Sequence, residues 1–532
     1  MPAVTLPSGV VGEFVNGGAI DITEQGSPGW WANYLWQKFT QRDLTYYFEG
    51  NLLRQIPIRT RRDRMNMLWA YFIGQPPLPQ VAEGYTVTFQ DILRKGRATY
   101  APMAINPVVD RMEVTGIGST ATVDVDAASS PAGLAKQIFD GSNFPAAVKD
   151  AITYALVMGE GYLMAVPAAE GSPDKIPLIT AEDPRLCIGE PDTMNPNQLR
   201  AALKIGYDPV AGREIMWLFV GGQRFSASRM SVPNPSPAGP GFGGFKWDGP
   251  PTDMPEIAGF GGVPVVRLVN VRGLGEFEPH LDLLDRINDT ILQRIVITWY
   301  QSFRQRAIKG DLQGDEAQDG APEPDFTDVF KADPGALWHV PDGVDFWESS
   351  QADMTPIITS IRDDVKEFAA VLGIPLYLIT PDAANQSAEG AVSQREALRF
   401  KVRDRRARSL PLLRQVLAMA FAFAGSPQSA STIDIQWGTI EGRSLAEMAA
   451  AVAQTTNVLS KRRQMIDIMD MTPEEAALNI QELLQDLLLF QAALPAPPVA
   501  TTPVDASGNS FAPNTSAADQ TANLHAMSTA GN

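Results

Sequence analysis

Two apolar stripes with helical spacing, separated by an acidic insert, constrain this chain more than any other feature. Leu284, Ile287, Ile291, Ile295 and Trp299 recur at steps of three or four, which predicts a helix over about 279–304. A second helix is predicted over about 353–374. Thr355 is its N-cap and Pro356 its first helical residue; Ile358, Ile361, Val365, Phe368 and Leu372 carry its stripe, and Gly373 and Pro375 stop it. A helix apolar on one side must bury that side against other elements, because propensity alone holds few helices in water. The stretch between the two, 305–352, sets Asp311, Asp315, Glu316, Asp319, Glu323, Asp325, Asp328 and Asp333 against Lys331, so a small exposed subdomain is expected there.

A third long helix is expected after Ser387. Glu389 lies in its first turn, where the helix dipole favours a carboxylate, and the pattern runs to Phe423 with a kink at Pro411. Its segment 395–408 is the most basic run of the chain, with Arg395, Arg399, Lys401, Arg403, Arg405, Arg406 and Arg408 against Glu396 and Asp404. Such a run either forms salt bridges with acidic neighbours or presents a ring of positive charge, through Arg399, Arg403, Arg405 and Arg406, to an acidic partner or to DNA phosphates.

The remaining organisation mixes helices and strands, so the expected class is α+β. Residues 1–26 read as flexible. Ser27 and Pro28 open an aromatic helix through Trp30, Trp31, Tyr34, Leu35, Trp36 and Phe39, more a packing stripe than a ligand box. Leu44–Asn51 reads as a helix end with Gly50 in the left-handed position. Short helices are expected over 91–111, two strands over 112–125 around Gly116 and Gly118, and helices over 132–139 and 145–158, the last stopped by Gly159. Strands at 162–166, 176–180, 185–188, 200–207 and 214–220, separated by Pro, Gly and Asp turns, predict a mainly antiparallel sheet. A Pro- and Gly-rich loop over about 232–262 leads to a strand over 263–270. Helices are expected at 445–459, 462–469 and 473–489, the last opened by a Thr472 capping box, and a disordered tail follows over 495–532.

Composition limits the chemistry. Hydrophobic residues at 44% against 20% charged are enough for a large core. A net charge of −18 argues against a surface that wraps DNA by neutralising phosphates. The single cysteine, Cys187, forms no intrachain disulfide, and His280, His339 and His525 are too scattered for a zinc motif. A reducing compartment is the expected home, and the absence of Lys or Arg before Lys38 speaks against a signal peptide. Gly239–Gly244 satisfies GxGxxG but lacks the strand and helix that would give it phosphate-binding geometry, and no GxxxxGK[ST] or GxSxG occurs. Glu182-Asp183 and Asp363-Asp364 read as solvated surface. Asn288-Asp-Thr290 and Asn385-Gln-Ser387 fit the glycosylation sequon and are expected to stay unmodified. No cofactor, metal or catalytic residue is expected, although an enzyme using dispersed carboxylates and a metal is a competing hypothesis.

Several segments, in order, resemble the portal proteins of tailed double-stranded-DNA bacteriophages, the long-tailed type in particular. They are Leu44–Gly50, Asn106-Pro-Val-Val-Asp-Arg-Met-Glu-Val-Thr-Gly116, Ala155-Leu-Val-Met-Gly-Glu-Gly-Tyr162, Val263–Asn270 leading into Asp285-Arg-Ile-Asn288, and Leu372-Gly-Ile-Pro375 followed by Asn385-Gln-Ser387. The resemblance implies a homo-oligomeric ring, usually of twelve subunits, at one vertex of the virion capsid and assembled in the host cytoplasm. DNA is packaged and ejected through it. It further implies a wing over 27–278, stem helices at 279–304 and 353–374, and a clip over 305–352. The clip, through Asp315, Glu316, Asp319, Glu323 and Asp325, docks the terminase large subunit and then the head–tail adaptor. A tunnel loop over 375–388 lines the DNA channel with Thr380, Pro381, Asp382, Asn385, Gln386 and Ser387. The long helix and a return to the wing fill 389–439, and a crown fills 440–494. The major capsid protein and scaffold are implied partners, and no membrane is. The competing expectation is another virion structural or adaptor protein without a DNA channel.

Overall fold

The computed structural model describes residues 20, 23–40, 42–49, 52–78, 92–119, 131–169, 171–172, 175–230, 244–302, 306–309, 345–348, 353–375, 378, 388–440, 445–469, 471 and 473–493. Helices and antiparallel strands both build it, in two compact units, Met1–Arg443 and Ser444–Asn532.

The aromatic helix α1 (Pro28–Thr40) starts as its sequence predicts, with the Trp30 amide donating to the Ser27 hydroxyl at 3.1 Å. The next segment corrects the sequence expectation. Leu44–Glu49 is no helix end: β1 (Arg42–Glu49) pairs antiparallel with β2 (Leu52–Thr60). Thr45, Tyr46, Tyr47 and Phe48 are β-branched or aromatic, and this strand preference outweighs the glycine that suggested a helix cap. Then come α2 (Arg61–Phe72), capped by Thr60, α3 (Ala101–Val109), β3 (Val114–Ser119), α4 (Pro131–Gly141) and α5 (Phe144–Met158). Gly116 and Gly118 lie within the single strand β3 rather than between two strands. The rest of that predicted pair lies outside the described residues.

Gly159 ends α5 in the left-handed region, at φ +90°, and a Cβ there would meet the Gly273 carbonyl oxygen at 2.3 Å. The chain turns at once into β4 (Glu160–Val166), where Gly161 lets the strand approach the Ala151 carbonyl of α5. β4 pairs with β5 (Leu178–Glu182) on one side. A larger antiparallel sheet follows, with β6 (Cys187–Pro191), β7 (Leu199–Asp208), β8 (Arg213–Val220) and β9 (Gln223–Met230) in sequential order. The short β10 (Lys246–Trp247) and β11 (Thr252–Asp253) both pair with β9. β12 (Val265–Val269) closes the other edge of β4.

Strand alternation assigns the two faces of the larger sheet to two cores. Met216, Leu218 and Val220 of β8 pack with Trp31, Leu35 and Phe39 of α1, Phe225 and Trp247 in one core. Phe219 and Trp217 face the other, which also holds α2 to α5 and the β4 sheet. The aromatic stripe of α1 is thus packing, as its sequence suggests.

The strongly helical part begins with α6 (Leu281–Ser302). Two short strands, β13 (Arg306–Lys309) and β14 (Asp345–Glu348), pair antiparallel, so the ends of the acidic insert are joined. α7 (Thr355–Leu372) follows, ending in Gly373 at φ +65°. Thr355 is its first residue rather than its cap, and the Asp353 carboxylate accepts the Thr355 amide at 2.9 Å. α8 (Ala388–Phe423) is unbroken across Pro411. β15 (Ile433–Trp437) then returns to pair with β3, from which over three hundred residues separate it. The second unit contains α9 (Leu445–Thr455), α10 (Lys461–Asp467), capped by Ser460, and α11 (Pro473–Ala493).

Candidate functional site: the helix pair and its clasp

α6 and α7 lie against each other, and the predicted stripes supply the contact. Leu284, Ile287 and Ile291 of α6 are buried, as are Ile361, Val365, Phe368 and Leu372 of α7. Burial declines toward the insert, where Ile295 is half-buried and Trp299 is 45% exposed. The helix pair is therefore most deeply buried at one end, where α6 begins and α7 ends, and its side chains become more exposed toward the end that carries the insert.

The segment Asp285-Arg-Ile-Asn288 makes four different connections from four consecutive residues. Asp285 accepts the Tyr71 hydroxyl at 2.6 Å, and Arg286 bridges to Asp364 at 2.9 Å and Glu367 at 2.6 Å on α7. Ile287 is in the core, and buried Asn288 accepts the Ala98 amide at 2.8 Å. This burial removes Asn288 as a glycosylation acceptor. Asn385 lies outside the described residues.

The more buried end is clasped by α8. Glu276, just before α6, is held by Lys401 at 2.7 Å and Arg405 at 2.5 Å, and Lys401 also donates to the Leu372 carbonyl at the end of α7, 3.1 Å away. One lysine thus joins the start of one helix, the end of the other and the long helix behind them. Burial works against the Glu276 charge, but Lys401 and Arg405 outweigh it and hold the carboxyl below its ordinary range. Arg406 donates to the Arg111 carbonyl and to the Gly438 carbonyl, and its guanidinium stacks over Trp437 at 5.1 Å, which secures α8 to β3 and β15. Burial lowers its pKa to about 10.

A second buried ionic cluster supports the same scaffold. Glu160 on β4 accepts from Arg61 Nε at 2.8 Å and from Arg267 Nε at 2.5 Å, and the Tyr162 hydroxyl donates to it at 3.1 Å. Arg61 also donates to the Pro184 and Cys187 carbonyls. Burial would raise the Glu160 pKa, yet the two guanidiniums bring it down to about 2. Burial pushes the Cys187 thiol up, so it is held neutral.

The basic run of α8 thus divides. Arg405 and Arg406 are consumed by Glu276 and by backbone carbonyls, whereas Arg399 and Arg403 are exposed. Arg408 pairs with Asp404 at 2.8 Å. Glu182 corrects the sequence expectation: it is buried, paired with Lys204 at 2.7 Å, and accepts the Thr180 hydroxyl at 2.8 Å. Asp183 is mostly buried against Arg185, and Asp364 against Arg286, whereas Asp363 is exposed. The insert residues Asp315, Glu316, Asp319, Glu323 and Asp325 lie outside the described residues, as do the loop residues Thr380, Pro381, Asp382, Asn385, Gln386 and Ser387. Among the described residues no group of three or more His, Cys, Asp or Glu could hold a metal ion, and no helix is long and apolar enough to cross a membrane.

Residues 247–486 match the family described as phage portal protein, SPP1 Gp6-like. The matched stretch contains the helix pair, its insert, the Glu276 clasp and all of α8. A solved structure described as "Neck of native GTA particle computed with C12 symmetry" is similar at 16% identity over 76% of this chain and 98% of that chain, with a TM-score of 0.35. No curated protein matches.

Proposed function

We propose, from the premise that residues 247–486 are phage portal sequence, that the whole chain is a ring-forming portal at a capsid vertex of a phage-like particle. The family match is the observation that carries this reading. In it α6 and α7 are the stem, the acidic insert over 305–352 is the clip that receives the terminase large subunit and later the head–tail adaptor, and 440–494 is the crown. The loop over 375–388 narrows the channel, with Thr380, Pro381, Asp382, Asn385, Gln386 and Ser387 beside DNA. Twelve copies would make the ring, with the major capsid protein and scaffold around it. The protein performs no covalent chemistry in this role.

The physical requirement is a channel that guides DNA without holding it. A charge of −18 per chain favours this, because a wall that repels phosphates releases no counterions on contact and forms no sticky complex. Clasping both stem helices at one end fixes the frame from which the clip meets changing partners. The proposal predicts that deleting Pro381–Gln386 leaves ring assembly intact but yields heads that fail to fill or lose their DNA. Electron microscopy of heads, with quantification of packaged DNA, checks it; normally filled heads would contradict the loop assignment.

A further inference from the structure

The basic side chains of α8 fall into two sets around the helix. At about 100° per residue, Lys401 and Arg405 lie together and are both held by Glu276. Arg399 and Arg403 project from the other side, next to Phe400, and all three are exposed, Phe400 to 57%. Among the described residues neither guanidinium is paired. An exposed phenyl ring beside two free guanidiniums has the composition of an interface anchor, since aromatic residues and arginine are the types enriched there.

α6 carries the complement. Asp282, Asp285 and Asp289 share its exposed face, about half a turn round from the buried Leu284, Ile287 and Ile291. Arg286 lies among them but is already committed to Asp364, which is mostly buried, and to Glu367, which is exposed. The pKa of Asp289 is raised by partial burial and by Asp285, as expected for carboxylates crowded without a counter-charge. Leu284, Ile287 and Ile291 share one core with Leu398 and Val402 of α8, so the acidic and basic faces both point away from a core they have in common. Two complementary faces on one chain make a head-to-tail contact, the kind that closes into a ring.

We infer that the Arg399–Phe400–Arg403 face of α8 docks on the Asp282–Asp289 face of α6 in the next copy of this chain. The occupant is a second copy because the charges are complementary and the chain supplies both halves. This inference rests on the ring reading above.

The test uses the full chain in four forms: wild type, R399E/R403E, D282R/D289R and the combination of all four changes. Ring mass is followed by light scattering against concentration, and folding by circular dichroism melts. Each double variant places like charges in contact, and the concentration for half-assembly is expected to rise about tenfold or more. The 57.7 kDa monomer keeps its wild-type melt. The combined variant restores the contact with its polarity reversed, and rings return. Double variants that assemble like wild type overturn the inference, and so does assembly lost but not regained in the combination. An intact R399E/R403E ring that no longer retains DNA also overturns it, since the face would then meet the nucleic acid. A wild-type chain that never assembles, alone or in particles, removes the ring reading itself, and the inference with it.

Discussion

Replacing Glu160 by Gln is expected to destabilise the first unit by about 3–5 kcal/mol, the range for breaking a buried ion pair from one side. The cause is the pair of guanidiniums left behind. Arg61 and Arg267 converge on this carboxylate from α2 and β12, and the Arg61 and Glu160 side chains are only 13% and 10% exposed. Glutamine keeps the shape and one acceptor but leaves two largely desolvated charges without an anion. Thermal unfolding of the variant, with ligand-free buffer and matched concentration, reads the loss directly. The sign of the pH dependence follows from the same carboxyl. Its pKa is about 2 in the folded chain against an ordinary 4.5, so the charged form is the one the fold stabilises. Stability from Glu160 is fully present above about pH 4.5 and is lost as pH falls toward 2, and the Gln variant should show a shallower decline across that window.

Replacing Glu276 by Gln is expected to have the second largest effect, about 2–4 kcal/mol, for the same reason at a different joint. Lys401 and Arg405 are 14% and 12% exposed and Glu276 only 8%. Arg405 keeps Asp404 as a partner, which makes this loss smaller than that at Glu160. The distinguishing consequence is local. Glu276 joins α8 to the start of α6, and the Lys401 that it orients also caps the end of α7. Hydrogen exchange should therefore rise at both helix ends in the variant, while the α1 core keeps its protection. Uniform loosening of both cores would contradict the clasp.

The helical part of this architecture was legible because its signal is local. The stripe Leu284, Ile287 and Ile291 and the stripe Ile361, Val365, Phe368 and Leu372 are periodic in the sequence and buried in the structure. Gly159 and Gly373 marked helix ends correctly because only the left-handed conformation follows there. β15 was missed although Ile433-Asp-Ile-Gln-Trp437 alternates, because it is only five residues long and its partner β3 lies far away in sequence. α2 and β9 carried no distinctive pattern either, and β1 was misread because a glycine after an aromatic run suits a hairpin as well as a helix cap. The ionic joints were hidden for a simpler reason. Glu160 draws Arg61 from 99 residues upstream and Arg267 from 107 downstream, and Arg405 reaches Glu276 across 129. No spacing rule connects such residues before the fold does. The basic run of α8 shows the limit from the other direction: its composition was visible, but which arginines were free depended on which faces the helix buries.

The most direct measurement for the central claim is the mass and rotational symmetry of the purified chain, by light scattering combined with electron-microscope class averages. The account predicts a hollow ring of about twelve 57.7 kDa chains with a central channel. A closed assembly without a channel, or a chain that stays at 57.7 kDa alone and is absent from the vertex of assembled particles, would contradict it.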